Sequence, residues 1–309
     1  MLGPIRILNF DDSITKQKKL LERFSPVVVD LTRYGPTCRL WLNKKTANEI
    51  INFLQPALRN AITFLGSSDF HHISCLLIEQ FTEPISVIIF DFHPDWDILP
   101  PRLGCGSWVT NILKSPNIKK IIVLGVSSED ISSFWIQMGN LSALKGNRVE
   151  IFPYTHEPTI TLLKQVPNDN VSIKVAKGLF YNKIYWRQMK DINLANLFFE
   201  IMGRIQTKHV YVSIDKDCLK SSYALTNWEE GYFELKDLLN LLKLIKENLK
   251  IVGVDITGDY SFPKMKNRIK DIFSRLDHPR NYSAKSQAQT IIDSINEQTN
   301  IEILELLTS

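Results

Sequence analysis

The sequence contains no apolar run near the roughly 18 residues that a membrane-spanning helix requires, so the chain is expected to be soluble. Cysteine is scarce. Cys38, Cys75, Cys105 and Cys218 are widely separated, no C-x-x-C pair occurs and no secretory segment opens the chain, so a disulfide framework is not expected. Reduced thiols in a cytoplasmic protein are the expectation. Charge of one sign is not in excess either. With 37 basic and 33 acidic residues the formal charge is only +4, and no basic stripe with interleaved aromatics is present. The densest basic clusters, Lys16 to Lys19 and Lys264 to Arg268, read as solvated helix faces, so neither nucleic acid nor membrane is an expected partner.

At 309 residues, 44% hydrophobic and 23% charged, the chain has an ordinary globular composition and enough length for a large core. Strand and helix signals alternate throughout. That pattern predicts one α/β domain over residues 1–309, with residues 261–309 as a helical extension.

What the sequence does have is Val87-Ile88-Ile89-Phe90-Asp91-Phe92-His93-Pro94-Asp95-Trp96-Asp97, an apolar run that ends in acids and a histidine. Such a run is typical of a strand buried in a parallel sheet, and open α/β sheets bind ligands at the carboxyl ends of their strands. In extended backbone alternate side chains share a side, so Asp91, His93 and Asp95 converge while Phe92 points away. Two carboxylates and an imidazole make a hard O/N donor set that suits Mn²⁺, Fe²⁺ or Zn²⁺. A second run, His209 to Asp217, is β-branched and aromatic and ends in Asp215-Lys216-Asp217. Carboxylates this close repel unless a proton or a cation neutralises them, and a dinuclear metal centre would supply that charge. Upstream, His71 and His72 lie at a strand-to-helix junction facing the same end of the sheet, so either is a candidate ligand.

Strands are expected near residues 5–10, 26–31, 61–65, 87–90, 120–125, 149–152, 209–214 and 250–256. Helices are expected near 43–53, 73–81, 193–206, 233–248 and 284–295, with another capped by the acids at 11–12 and running to 24. Residues 154–193 read as an excursion or lid beside the sheet, and the stretch after the last strand as a basic linker. The Pro- and Gly-punctuated loop 99–108 should overhang the site, with Cys105 either in the pocket or packed as a small hydrophobe. Trp96, Trp108 and Trp228 lie near site loops, as pocket walls or as packed core.

These stretches, in this order, resemble the signatures of the arginase/deacetylase superfamily, and within it a divergent member of the ureohydrolases (arginase, agmatinase, formimidoylglutamase). Gly66-Ser67-Ser68-Asp69-Phe70-His71 corresponds to the G-G-D-H segment, Asp91 to Asp95 to D-x-H-x-D, and Ser213 to Asp217 to S-x-D-x-D. The resemblance spans roughly residues 60–260. It implies a three-layer α/β/α fold around a mainly parallel sheet of about eight strands. It also implies that His71, Asp91, His93, Asp95, Asp215 and Asp217 hold two Mn²⁺ ions, with Fe²⁺ and Zn²⁺ as alternatives, sharing a bridging water. Asp95 would then pass a proton to the departing nitrogen. Its presence, with Asp217, favours the two-metal branch over the deacetylases, which usually carry Gly at that place and bind one zinc.

The implied activity is hydrolysis of a non-peptide C–N bond in a small nitrogenous substrate, and since members of the family are commonly closed homo-oligomers, the resemblance leaves a homo-oligomer open here. Three departures qualify that implication. Phe70 is inserted between acid and histidine, so His71 and His72 both stay open as the upstream ligand. Where ureohydrolases have a proton-shuttling His-Gly, Cys105-Gly106 stands, making Cys105 the candidate at that catalytic position. Where arginases have a guanidinium-clamping glutamate, Gly258 stands beside Asp259. Arginine is therefore not the expected substrate. Asp97 or Asp259 is the candidate for holding a cationic group, and Ser107 and Trp228 are further substrate-side candidates. A protein that binds without catalysis, and a one-zinc deacetylase, are the alternative readings.

Overall fold

The computed structural model describes residues 2–54, 59–162, 170–278 and 286–309. Its centre is built from β1 (Ile5–Asn9), β2 (Val27–Asp30), β3 (Ile62–Gly66), β4 (Ile85–Phe90), β5 (Ile118–Leu124), β6 (Val149–Phe152), β7 (His209–Asp215) and β8 (Lys250–Thr257). The strand order is β2-β1-β3-β8-β7-β4-β5-β6, and every pairing is parallel.

The apolar runs dictate this arrangement. β3 and β4 are buried along their whole length, which requires cover on both faces. The two faces feed separate cores. Val87, Ile89, Ile121 and Val123 pack with Ile73, Leu76, Leu77, Val109 and Ile112. Ile88, Phe90, Ile122 and Leu124, their neighbours in sequence, pack on the other side with the helices Leu194–Arg204 and Leu235–Asn248. Period-two alternation along each strand thus yields the three layers expected from sequence. Because β3, β8, β7 and β4 are adjacent and parallel, their carboxyl ends bring all the signature loops to one edge.

Four stretches differ from expectation. The first helix begins only at Lys18, because Asp11 Oδ1 accepts from Ser13 N (3.1 Å) and Ser13 Oγ (2.7 Å) and closes a local turn instead of capping a helix. The stretch read as a lid forms a three-stranded antiparallel sheet of Ile173–Lys177, Asn182–Trp186 and Thr159–Thr161, with residues 163–169 outside the described ones. The stretch read as a linker contains the helix Arg268–Asp277, which buries Lys270 and Ser274 and exposes Ile269, Ile272 and Phe273, the reverse of ordinary amphipathicity. The terminal helix runs Ser286–Thr308, well beyond the expected end, while its expected start at residue 284 lies outside the described residues. Among the described residues no helix is long and apolar enough to cross a membrane.

Candidate metal centre

Ser67 to His71 leave β3 through a single 3-10 turn, Ser68–Phe70, in which the Ser67 hydroxyl accepts from Asp69 N. Phe70, the inserted residue, stacks on Phe10 with ring centroids 4.9 Å apart, and that anchor turns His71 toward the other strand ends. His71 Nδ1 lies 3.1 Å from Asp91 Oδ2, 3.1 Å from Asp95 Oδ2 and 3.4 Å from Asp215 Oδ2. His93 Nδ1 lies 3.0 Å from Asp217 Oδ2 and 3.6 Å from Asp91 Oδ1. Asp95 reaches this centre from a left-handed backbone conformation, φ 49°. Two donor groups result, His71–Asp91–Asp215 and Asp91–His93–Asp217, each with its ligand atoms within 4.8 Å of one another and Asp91 common to both.

Of the two upstream histidines only His71 faces the acids. Burial, then Lys270 and His71, push the His72 pKa down to about 3, so His72 is a neutral buried ring. Asp69 is no part of the cluster either. It is buried among Arg39, His278 (Nε2 2.8 Å) and the Trp228 indole N–H (3.1 Å). Burial raises its pKa, but His278 and Arg39 outweigh that and hold it well below the carboxylate range.

The polar groups around the cluster fix its orientation. Ser213 Oγ donates to Asp255 Oδ1 (2.6 Å), so it accepts from His71 Nε2 at 2.8 Å. That leaves the Nδ1 lone pair facing carboxylate oxygens that also carry only lone pairs, an arrangement stable only with a cation or an added proton between them. Asp91 Oδ2, buried in the same place, has no hydrogen-bond donor of ordinary geometry among the described residues. Ser68 Oγ donates to Asp215 Oδ1 (2.8 Å), Phe92 N to Asp217 Oδ1 (3.0 Å) and Trp108 Nε1 to Asp95 Oδ2 (2.6 Å). Glu229 Oε2 lies 3.2 Å from the outer nitrogen of His93.

The electrostatics agree with a cation requirement. Burial first, then the Asp91 charge, push Asp95 up to about 7 and Asp217 up to about 6. Asp215 is likewise raised well above the usual carboxylate range, by burial, then Asp217 and Asp91. Clustered, buried carboxylates of this kind fit divalent metal, and the donor set of imidazole and carboxylate fits Mn²⁺, Fe²⁺ or Zn²⁺.

The cluster forms the floor of a cavity of about 720 Å³. Asp97, Cys105, Ser107 and Trp228 line it. Burial, then Asp130 and Asp95, push Asp97 up to about 8. Cys105 is half-buried, with its N–H on Leu40 O at 2.9 Å. The Ser107 hydroxyl donates to Arg102 O (2.8 Å) and accepts from Gly104 N (3.1 Å), so it braces its own loop. Trp228 meets His93 edge-on, centroids 5.3 Å apart. Asp259 does not join them. It is buried against Lys216 Nζ (2.8 Å), Gln17 Nε2 (2.7 Å) and Asn300 Nδ2 (3.1 Å), as the counter-charge of the lysine between Asp215 and Asp217. Trp96 and Trp108 are fully buried core residues. Glu229, the Trp108–Asp95 bond and the Ser213–Asp255 relay were not foreseen. Glu229 lies in an aperiodic connection where a lone acid carries no signal, whereas Ser213 stood inside a recognised motif.

Residues 164–258 match the Arginase family. An uncharacterized protein of Thermotoga maritima is 27% identical over 260 residues, covering 84% of this chain and 81% of that protein. Arginase from Bacillus subtilis superimposes over 99% of this chain and 98% of its own, with TM-score 0.56 and 11% identity. Formimidoylglutamase from Bacillus subtilis superimposes over 96% and 86%, with TM-score 0.54 and 16% identity. The two structural likenesses establish a shared eight-stranded α/β fold, and the sequence match covers the stretch that holds β7 and β8. Over residues 164–258 the chain is similar in sequence to the Arginase family, and its fold is one that arginase and formimidoylglutamase share.

Proposed function

We propose that the chain is a dinuclear metal-dependent hydrolase of a non-peptide C–N bond in a small nitrogenous substrate. The observation that carries this reading is the sharing of Asp91 between two donor groups, each with one imidazole and two carboxylates. One metal would need only one such group. His71, Asp91, Asp95 and Asp215 are the residues that would hold one ion, and Asp91, His93 and Asp217 the other. Two divalent cations, Mn²⁺ foremost, would neutralise the carboxylates and lower the pKa of a water toward neutrality. The Trp108 indole fixes Asp95 Oδ2, so that the Asp95 carboxyl is held in place to carry a proton to the departing nitrogen. Glu129, Asp130 and Glu229 make the cavity acidic, which favours a cationic nitrogen group, and Cys105 would contribute to the wall from the bracing loop.

The test is metal stoichiometry by elemental analysis, before and after reconstitution with Mn²⁺. The expected result is about two manganese per chain, followed by turnover of guanidino or amidino compounds. A single zinc would point to the deacetylase-like reading. No metal after reconstitution would favour a protein that binds without catalysis.

A further inference from the structure

Four carboxylates of the site, Asp91, Asp95, Asp215 and Asp217, are almost fully buried against the two histidines and are committed to them. Glu229 differs. Its side chain is 43% exposed and lines the cavity, yet Oε2 lies one hydrogen bond, 3.2 Å, from His93 Nε2. Among the acids of the cavity that are not proposed to hold metal, and among the described residues, it alone is hydrogen-bonded to a member of the donor groups. A carboxylate has about four acceptor positions, so the bond to His93 leaves capacity for a second donor.

The loop that carries Glu229 is tied down by hydrogen bonds on both sides of it. Trp228 N donates to Thr226 Oγ1 (3.0 Å) and its indole to Asp69 (3.1 Å), Asn227 bonds Ser261 O (2.9 Å), and Glu230 accepts from Ser221 N (2.9 Å). A carboxylate fixed in this way loses little conformational entropy when a ligand binds. The Trp228 ring beside it offers a planar cation an aromatic partner.

The end of β8 cannot supply an anion here. Gly258 has φ +93°, and a Cβ on it would stand 2.7 Å from Asp215 Oδ1 and 2.7 Å from Lys216 N. The next residue, Asp259, is held by Lys216. We infer that Glu229 is the carboxylate that receives a guanidinium or amidinium group of the substrate beside the metal pair, a specificity-determining residue of the hydrolase reading, on which the inference rests.

The experiment compares ¹³C-guanidinium with its neutral isostere, ¹³C-urea, by NMR titration of wild type and Glu229→Gln, each with and without Mn²⁺. Wild type should prefer guanidinium, and Glu229→Gln should lose that preference by roughly tenfold or more while Mn content and urea binding stay unchanged. Glu229→Asp, which keeps the charge, should retain part of it. A preference that survives in Glu229→Gln overturns the inference. So does loss of manganese together with the preference, since that would mark Glu229 as a residue that only positions His93. A Glu229-dependent preference in a protein that takes up no manganese would keep the clamp and remove the dinuclear reading. Two manganese with a preference indifferent to Glu229 would do the reverse.

Discussion

Trp108 is wholly buried, and its one polar atom lies 2.6 Å from Asp95 Oδ2. Trp108→Phe keeps most of the packing and removes the donor. Losses of supporting hydrogen bonds around metal ligands commonly cost 10–100-fold in affinity, so Mn²⁺ titration of Trp108→Phe should show a drop of roughly that size. His71→Ala should lose metal while His72→Ala keeps it, as measured by elemental analysis; the opposite pattern would remove His71 from the donor set. Asp259→Ala would leave the Lys216 ammonium buried without its counter-charge, at about 3–5 kcal/mol in denaturant unfolding. At this scale the acids of D-x-H-x-D and S-x-D-x-D were legible because they follow the carboxyl ends of buried strands, although Asp95 reaches the centre from a left-handed backbone and not from the extended alternation expected. The choice between His71 and His72 was not legible, since it depends on a turn anchored by Phe70 on the distant Phe10. Asp259 was misread for a related reason. Its partners Gln17 and Asn300 come from opposite ends of the chain.

Among the elements, β4 and β7 were readable because strands buried on both faces are continuous apolar runs, and the helix Leu235–Asn248 because its leucines recur at helical spacing. The helix Arg268–Asp277 escaped because its inward residues are Lys270 and Ser274, followed by His278. Lys270 Nζ donates to Thr37 O at 2.6 Å, Arg39 O at 2.7 Å and Trp41 O, while His278 Nε2 donates to Asp69 Oδ1. Hydrogen bonding to those atoms, rather than apolar burial, fixes its face. The end of β8 yields a sharper prediction. Gly258→Glu, which would place a glutamate where the resemblance to arginases expects one, forces a side chain into a left-handed position against Asp215. The variant should lose bound Mn²⁺ and melt at a lower temperature, with no gain in arginine cleavage; unchanged metal content would contradict the geometry at the end of β8.

For the molecule as a whole, the site couples folding to pH. Asp95, Asp217 and Asp215 have folded pKa values above their unfolded ones, so each contributes stability that is full at low pH and is lost as pH rises toward the folded value. For Asp217 and Asp95 that loss ends at about 6 and about 7. Asp69 and Asp91 are lowered and act in the other direction, their contributions disappearing as pH falls. On the dinuclear reading, metal would replace the protons that the raised acids otherwise hold. The increase in Tm on adding Mn²⁺ should therefore grow from about pH 5 to about pH 7.5, and a flat profile in a thermal scan would contradict the site.

The inverted helix has one more consequence. An ordinary helix that detaches from a core exposes oil to water, and the cost keeps it closed. When Arg268–Asp277 detaches, what its described inward residues bring into contact with water is an ammonium, a hydroxyl and the carbonyls of residues 37, 39 and 41, all of which hydrate readily, while Ile269, Ile272 and Phe273 were already in large part exposed. This segment should be the first to breathe. Its amides should exchange with deuterium well before those of His209–Asp215, and since Trp41, which borders the cavity, packs edge-on against Phe273, each such excursion would loosen the mouth of the site from outside.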